Sequence, residues 1–452
     1  DAITYVNRSV KFYSDKVGEY PWPHATAVQS ALSAGAGMEY PMITVIGLSG
    51  NAKSLDRVIT HEVGHNWFYG ILGSNERMHA WMDEGLNSYY ENRYMATYWK
   101  DDAGVSLPNF LAKDTDYDLN ELLYQILVKQ NAAQAPSTDA EDTWQGCYFL
   151  GAYVRVPFLW SYVDEYLGEE AVDSMMHAYF EAWKFKHPSP GDLQLVMENH
   201  SDLDYDWIFD HAMSSEDPMD YKVVSVSDKR VLIRNKGVMD APIHVVAFNG
   251  DEIVDDVWVE GFEGDKEIRM NLSNATRVHI DPEYQSPEYV RSNNYSAVKG
   301  LLKKVDKPGF RMLSGIDRDR KNDIYMLPLP FGNAYEGFML APILHNYEFP
   351  AHRFKYMLMP VVGFRHGTLS GIGDVKWTIP VRNNEMLRSI ELGYNFKSFI
   401  FDQNAAQNDY LQRYRRHAPR LQFLFNANRA KGAYSALTVR YLDVKQEEAQ
   451  FV

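Results

Sequence analysis

Residues 58–68 read Val-Ile-Thr-His-Glu-Val-Gly-His-Asn-Trp-Phe, and residues 81–87 read Trp-Met-Asp-Glu-Gly-Leu-Asn. His61 and His65 are separated by one helical turn, so on a helix they lie on one face and reach a single cation. Glu62 stands between them, where its carboxylate points toward a water bound at that cation. Glu84 would supply a third ligand and leave one position open, as catalytic zinc sites require. The two stretches together predict a catalytic zinc site.

Signals for helix formation flank both stretches. Ser54 is a good N-cap, and a first helix is expected to run from there to Gly70 or Gly73, with the histidines near its middle. A second helix is predicted from Met82 to about Trp99, returning antiparallel to the first. Glu84 lies 19 positions after His65. That gap fits a helix end, a turn and a new helix.

Other residues could complete the predicted ligand set. The metzincin pattern needs Gly at position 68 and His at position 71, but this chain has Phe68 and Ile71 there. The third ligand must therefore come from elsewhere. His79 and Asp83 are nearby alternatives to Glu84.

A second segment lies upstream of the histidines. Residues 35–41 read Gly-Ala-Gly-Met-Glu-Tyr-Pro, and the apolar run at 42–47, Met-Ile-Thr-Val-Ile-Gly, is typical of a β-strand. Glu39 thus stands on a glycine-rich approach to a strand. An exposed strand edge of this kind can hold an extended peptide through main-chain hydrogen bonds.

With this segment, the chain resembles the gluzincin aminopeptidases, the family of aminopeptidase N and the leukotriene hydrolases. Their signature is Gly-x-Met-Glu-Asn, then His-Glu-x-x-His, eighteen residues and Glu. The resemblance implies one zinc ion held by three ligands, a general base, and a substrate-binding segment whose glutamate anchors the free α-amine of a peptide. Carried over to this chain, the resemblance implies that the ligands are His61, His65 and Glu84, that the base is Glu62, and that the segment is Gly37, Met38 and Glu39. Tyr40 and Ala36 depart from the signature, where it has Asn and its first Gly.

The family also uses a tyrosine at a helix start to hydrogen-bond the oxyanion, in a Tyr-x-Lys-Gly pattern with Leu-Gly closing the helix. Tyr153 matches this position, and Leu167 with Gly168 closes a helix of the same length. Val156 replaces the pattern's Gly, and Pro157 is expected to perturb the first helical turn. The other tyrosine that fits this role is Tyr148.

The predicted function is zinc-dependent removal of N-terminal residues from peptides by a zinc-activated water. A carboxylate at Glu39 pairs with the substrate's ammonium and disfavours peptides that lack one, which indicates an exopeptidase. Two alternatives remain open at this stage: a zinc endopeptidase in which Glu39 is incidental, and a peptide-binding or assembly module of an outer-membrane protein.

The fold class predicted for the 452 residues is multidomain α+β. Residues 1–216 are expected to form a mostly helical, thermolysin-like catalytic domain. Residues 217–300 change to period-two alternation with turns at Asn249-Gly250, which predicts a small β-sandwich. Residues 301–452 are predicted to form an antiparallel β region. About six amphipathic strands are expected there, in a pattern that fits either a partial outer-membrane β-barrel or a water-exposed sheet.

Charge divides the chain at the same place. Residues 301–452 carry 22 Lys or Arg and 14 Asp or Glu, whereas the preceding 300 residues carry 23 and 47. The acidic first part argues against nucleic-acid binding. The single cysteine, Cys147, excludes an internal disulfide and is expected to be a small core residue. The cysteine does not indicate a compartment, but the β region at 301–452 favours the cell envelope of a bacterium, either its periplasm or its outer membrane.

Overall fold

The computed structural model describes residues 1–32, 36–99, 119–216, 218–300, 303, 307–316, 321–381, 384, 386–404 and 410–447. The chain folds into two compact units. The first contains the described residues up to 303, apart from 125–132. The second contains residues 125–132 and the described residues from 307 onward. Within the glycine-rich motif at 35–41, Gly35 lies outside the described residues.

The first unit begins with helix α1, Ala2–Lys16, and a small sheet. The sheet has the order β1-β3-β2, with β1 at Thr26–Gln29, β2 at Gly37–Met38 and β3 at Ile43–Ile46. β2 pairs antiparallel with β3, and β1 pairs parallel with β3. The strand predicted at 42–47 is confirmed by β3. Glu39 directly follows β2, so this sheet sets its position.

Helix α2, Ala52–Gly64, carries the first histidine motif. Its N-cap is Asn51 rather than the predicted Ser54, because the Asn51 side chain accepts a hydrogen bond from the Ser54 N–H at 2.8 Å. The helix also ends earlier than predicted. The Asn66 side chain donates to the carbonyl of Val63 at 2.8 Å and satisfies a carbonyl at the helix end. The histidine motif therefore occupies the last turn and C-cap of α2 and not its middle.

A π-helical turn, Trp81–Gly85, leads directly into helix α3, Leu86–Tyr98. Together they cover the helix predicted from Met82 to Trp99. Glu84 lies on the π-helical turn. Helix α3 packs against the rest of the unit through three fully buried tyrosines, Tyr89, Tyr90 and Tyr94.

The remaining helices follow in chain order. They are α4 at Leu119–Lys129, α5 at Gln145–Leu150, a π-helical turn at Gly151–Arg155, α6 at Val156–Leu167, α7 at Glu169–Trp183, α8 at Pro190–His200 and a π-helical turn at Trp207–Met213. Buried aromatic side chains fill the spaces between them, including Trp67, Trp81 and Trp160. Cys147 is buried, as predicted. Among the described residues, no helix has both the length and the apolar character needed to cross a membrane.

Seven strands complete the first unit. They are β4 at Tyr221–Ser227, β5 at Arg230–Asn235, β6 at Ile243–Asn249, β7 at Glu252–Val259, β8 at Asp265–Arg269, β9 at Arg277–Ile280 and β10 at Tyr295–Ala297. They form two sheets, β4-β5-β8 and β10-β9-β6-β7. Val231 and Ile233 of one sheet and Val245 and Val278 of the other are fully buried. The strands of this region thus form two sheets, while the β-sandwich domain and its boundary at 216 stay predictions.

The second unit is dominated by a nine-stranded sheet. Its strands are β11 at Lys307–Met312, β13 at Lys321–Asn333, β14 at Gly337–His345, β16 at Phe354–Gly363, β17 at Thr368–Pro380, β18 at Leu387–Asn404, β19 at Tyr410–Asn428, β20 at Ala433–Arg440 and β21 at Asp443–Gln446. All pairs are antiparallel except β11 with β13. Short strands β12, Gly315–Ile316, and β15, Glu348–Phe349, pair separately. The prediction of about six strands was therefore too low.

The two faces of this sheet differ in chemistry. On one face Arg420 reaches Asp374 at 3.1 Å and Glu391 at 3.3 Å. On the other, Trp377 lies directly opposite Leu392 on the neighbouring strand, and the two are 52% and 43% exposed. The alternation predicted from the sequence is confirmed, because successive residues of a strand point to opposite faces.

Candidate active site

Three side chains from α2 and the following π-helical turn converge on one point. Nε2 of His61 and Nε2 of His65 are 3.2 Å apart. Glu84 Oε2 lies 3.2 Å from the His61 nitrogen and 3.3 Å from the His65 nitrogen. All three side chains are at least five-sixths buried. The three residues predicted as metal ligands are therefore brought together.

The spacing of these atoms fits a tetrahedral metal ion. Ligand atoms placed about 2.05 Å from a tetrahedral zinc are about 3.3 Å from one another. Each imidazole also has its other nitrogen engaged: His61 Nδ1 is 2.9 Å from Glu91 Oε2, and His65 Nδ1 is 2.7 Å from Asp83 Oδ1. Those carboxylates accept the Nδ1 protons and leave both Nε2 lone pairs directed at the shared point. Two lone pairs that face each other in a buried site repel one another, and a cation between them removes that repulsion.

The electrostatics of the cluster agree with this reading. Burial opposes charge on Glu84, but hydrogen bonds with His61 and His65 hold the pKa of that carboxyl below its usual value. Burial likewise opposes charge on the His65 ring, yet the neighbouring Asp83 carboxylate raises the pKa of His65. The cluster therefore favours an ionised Glu84 next to positive charge. A divalent ion can provide that charge without protonating either histidine.

His61, His65 and Glu84 line a cavity with a volume of about 660 Å³. Glu62 and Glu39 line the same cavity. The Glu62 side chain is almost fully buried, and its Oε2 atom has no hydrogen-bond partner among the described residues. Burial, reinforced by the charges of Glu39 and Glu84, raises the pKa of Glu62 to about 7 even though both histidines oppose the shift. A carboxyl group with a pKa near neutrality is suited to exchanging protons.

Gly37 and Met38 lie on the wall of this cavity next to Glu39. A Cβ atom on Gly37 would overlap the Glu62 carboxylate. Glycine is therefore required for β2 to approach the predicted base closely. Met38 is 42% exposed, so its side chain is accessible to a molecule that enters the cavity.

Tyr153 stacks on the His61 ring with 5.8 Å between the ring centroids. Burial raises the pKa of Tyr153 strongly, and the Glu84 charge and a hydrogen bond to Glu84 add to the shift. The hydroxyl is therefore protonated at neutral pH and able to donate. Pro157 lies in the first turn of α6, and the preceding turn is π-helical, so the predicted perturbation of this helix start is present. Tyr148 lies nearby, with its ring centroid 6.3 Å from that of Tyr153.

Sequence reasoning missed some residues of the site. Glu91 receives the His61 ring and also an ion pair from Arg57 at 2.5 Å. Its position seven residues after Glu84, two turns along the helix, was a signal that could have identified it. Asp83 was considered only as a ligand, whereas the structure places it behind His65. His79, the other alternative ligand, does not belong to any cluster of potential metal ligands among the described residues.

The chain is similar to several known proteins. Residues 2–211 match the Peptidase family M1 domain. Leucine aminopeptidase 2 of Chaetomium globosum is 26% identical over 154 residues, covering 33% of this chain and 24% of that protein. Aminopeptidase B of Rattus norvegicus is 27% identical over 157 residues, covering 33% and 23%. The crystal structure of Legionella pneumophila aminopeptidase A in complex with aspartic acid has 12% identity and a TM-score of 0.48, covering 64% of this chain and 34% of that chain.

The chain spans about a quarter of the length of these curated relatives. The matched region nevertheless contains every element that forms the cavity described above, from β2 through α2 and α3 to Tyr153. Residues 2–211, just under half of the chain, therefore match a Peptidase family M1 domain, which confirms for this region the resemblance to the gluzincin aminopeptidases.

Proposed function

We propose that the chain is a zinc-dependent aminopeptidase that hydrolyses N-terminal residues from peptides. The observation that carries the proposal is the convergence of His61, His65 and Glu84 beside a buried, unpartnered oxygen of Glu62. The curated relatives named above are called aminopeptidases. The chain spans only part of their length, so we propose the same activity for it rather than infer it from their names alone.

His61, His65 and Glu84 would hold the ion. When bound, zinc acts as a Lewis acid and lowers the pKa of a water molecule that it binds. Glu62 accepts a proton from the attacking water at its buried Oε2 and later delivers that proton to the leaving amine. Tyr153 donates a hydrogen bond to the substrate carbonyl oxygen, where negative charge develops.

Glu39 determines which end of a peptide is held. One of its carboxylate oxygens lies within 4.8 Å of ligand-type atoms of Glu62 and His65, so a group bound at Glu39 is close to the proposed reacting centre. A free α-ammonium pairs with this carboxylate, whereas a blocked N-terminus does not. The arrangement favours an exopeptidase that removes one residue at a time.

Hydrolysis of aminoacyl-arylamides by the zinc-loaded protein tests the proposal. We expect activity that is abolished by chelation, restored by zinc, and lost in Glu62→Gln with zinc still bound. A metal-loaded but inactive wild type would favour a peptide-binding module. Equal cleavage of free and N-acetylated peptides would instead identify an endopeptidase.

We also propose that the second unit places the chain in a bacterial cell envelope, with the apolar face of its large sheet against membrane hydrocarbon. Phe354, Trp377 and Leu392 form a continuous row across three strands of that face and are 53%, 52% and 43% exposed. Removing apolar surface of this kind from water lowers the free energy of the system. Retention in the membrane fraction after an alkaline wash supports this location, and full release into the soluble fraction contradicts it.

A further inference from the structure

A separate cavity lies within the second unit, on the face of the large sheet that carries Arg420. It has a volume of about 260 Å³. Residues of β16 to β19, the end of α4 and the segment between β15 and β16 line it. Sites for drug-sized ligands occupy roughly 300–1,000 Å³, so this cavity suits a smaller molecule.

The lining of this cavity is strongly cationic. Four basic side chains contribute to it: Lys129, Arg353, Lys355 and Arg388. Among the described residues that line the cavity, Glu391 supplies the only carboxylate, and it is already paired with Arg420 at 3.3 Å. The excess of positive charge creates a potential that attracts an anion.

The register of the strands adds a second cation beside Lys355. Lys355 of β16 lies directly opposite Lys376 of β17, so both side chains point to the same face of the sheet. Like charges placed directly opposite each other destabilise a sheet. Both side chains are partly buried, and neither has a hydrogen bond or an ion pair with another described residue. An anion bound at Lys355 would relieve this repulsion.

The electrostatics of Lys355 reflect the same crowding of positive charge. Burial lowers the pKa of Lys355, and the charge of Lys376 adds to the shift. The Glu391 carboxylate opposes the shift but does not cancel it. A bound anion acts in the same direction as Glu391, because an opposite charge nearby favours the charged form of a lysine.

The end of α4 is fixed to the sheet at the edge of the cavity. The side chain of Asn131 donates hydrogen bonds to the carbonyls of Val381 at 2.7 Å and of Arg388 at 3.0 Å. Nε of Arg388 donates to the carbonyl of Gln130 at 2.9 Å. The Arg388 guanidinium is therefore positioned before a ligand arrives, which reduces the entropy lost on binding.

We propose that this cavity binds a phosphate monoester, with Lys355, Arg353 and Arg388 as its ligands. A dianion balances more of the surrounding positive charge than a single carboxylate does, and guanidinium groups pair well with phosphate oxygens. A small soluble molecule and a lipid headgroup can both present this group. The site goes beyond the proposed peptidase function, since no residue lines both this cavity and the active-site cavity.

Calorimetric titration of the zinc-loaded full chain with glycerol 3-phosphate at low ionic strength tests the proposal. Lys355→Gln should raise the dissociation constant about tenfold, as loss of a hydrogen bond to a charged group does. Glu391→Gln should lower it about threefold, because a negative charge leaves the lining. A general loss of folding cannot produce these opposite effects. Without phosphate, Lys355→Gln should not lower the melting temperature, since it removes one of two opposed like charges.

Lys445→Gln is the matched control. It makes the same charge change on an exposed residue of β21. Lys445 pairs with Arg415 of β19, seven positions and roughly 23 Å along the strand from Gln422, which lines the cavity. The affinity for glycerol 3-phosphate should be the same in this variant as in the wild type.

Vesicles distinguish the two sources of the phosphate. Phosphatidic acid presents a phosphate monoester, whereas phosphatidylglycerol presents an anionic diester. Binding to phosphatidic acid vesicles that depends on Lys355 identifies a lipid headgroup, and binding of glycerol 3-phosphate without it identifies a soluble ligand; both support the proposal. Equal affinity of the wild type and Lys355→Gln for glycerol 3-phosphate overturns it. Binding that is lost on removal of zinc but unchanged in Lys355→Gln also overturns it, because the phosphate would then sit on the metal. Equal, Lys355-dependent binding to both kinds of vesicle would show a general anionic-surface contact and likewise overturns it.

Discussion

Replacing Glu91 should weaken zinc binding although Glu91 does not contact the ion. Its Oε2 accepts the Nδ1 proton of His61 at 2.9 Å, and its other oxygen pairs with Arg57 at 2.5 Å. The side chain is only 8% exposed, so water does not substitute for it. Glu91 thereby fixes the tautomer and orientation of the His61 ring and makes its Nε2 a stronger donor to a metal.

The size of the effect follows from the two contacts. Glu91→Gln keeps an acceptor for the His61 N–H but removes the charge, and a charge-assisted hydrogen bond is about twice as strong as a neutral one. This difference corresponds to about 1.4 kcal/mol, or about a tenfold increase in the zinc dissociation constant. Glu91→Ala removes the acceptor entirely, and we expect a loss of about 100-fold, the upper end for partners of a metal-bound histidine.

Competition between the apoprotein and a chromogenic chelator at neutral pH measures these dissociation constants. Glu181→Gln serves as the control, since it makes the same change of charge on an exposed helical residue. Thermal unfolding of the apo forms separates weakened metal binding from a general loss of stability. Equal zinc affinity in the wild type and both Glu91 variants would refute the idea that this carboxylate positions His61.

Two further predictions concern Glu62. The carboxylate must be ionised to accept a proton, so kcat/KM should fall as the pH drops through the pKa of Glu62. Burial raises that pKa to about 7, and a bound dication lowers it again. The acidic limb of a pH–rate profile should therefore lie at pH 7 or below. An acidic limb above pH 8 would contradict this assignment. Gly37→Ala should reduce kcat/KM at least about 100-fold with little change in the melting temperature, because the added methyl group overlaps the Glu62 carboxylate at the rim of an open cavity. Gly50→Ala, where a Cβ meets no atom within 4 Å, is the matched control and should retain activity.

The convergence of His61, His65 and Glu84 could be predicted from sequence because its geometry is local. His61 and His65 share one helix face whatever the rest of the chain does. Glu84 required only that a second helix begin near it, and the π-helical turn at Trp81–Gly85 meets that need. Glu91 lies on the same helical run and was within reach of the same reasoning.

The meeting of Glu76 with Glu39 could not be predicted in this way. The two residues are 37 positions apart, on irregular segments whose paths no periodic pattern determines. Their approach depends on how the strand pair β2-β3 packs beside the segment that follows α2. Tertiary packing sets that relationship, so only the folded structure brings the two carboxylates together.

The sheet of the second unit shows the same division. Alternation along each strand predicted which residues share a face, since the side-chain period of a strand is fixed at two. The number of strands was underestimated, because β13 carries prolines at 328 and 330 and its alternation is weaker. Proline is unfavourable for strand assignment from sequence. The register that places Trp377 opposite Leu392 became visible only in the paired strands.

The early end of α2 changes the electrostatic argument for the site. With the histidines in the middle of a helix, as predicted, the backbone would contribute little to binding a cation. The structure instead places His61 in the last turn and His65 at the C-cap, where the helix carries its negative partial charge. Glu84 lies at the start of the helical run that continues into α3, where the positive end of a helix stabilises an ionised carboxylate. The end of α2 therefore favours a cation beside the two imidazoles, and the start of the next helical run favours the ionised form of Glu84. The Asn66 side chain, which satisfies a carbonyl at the end of α2, thereby also contributes to the proposed metal site.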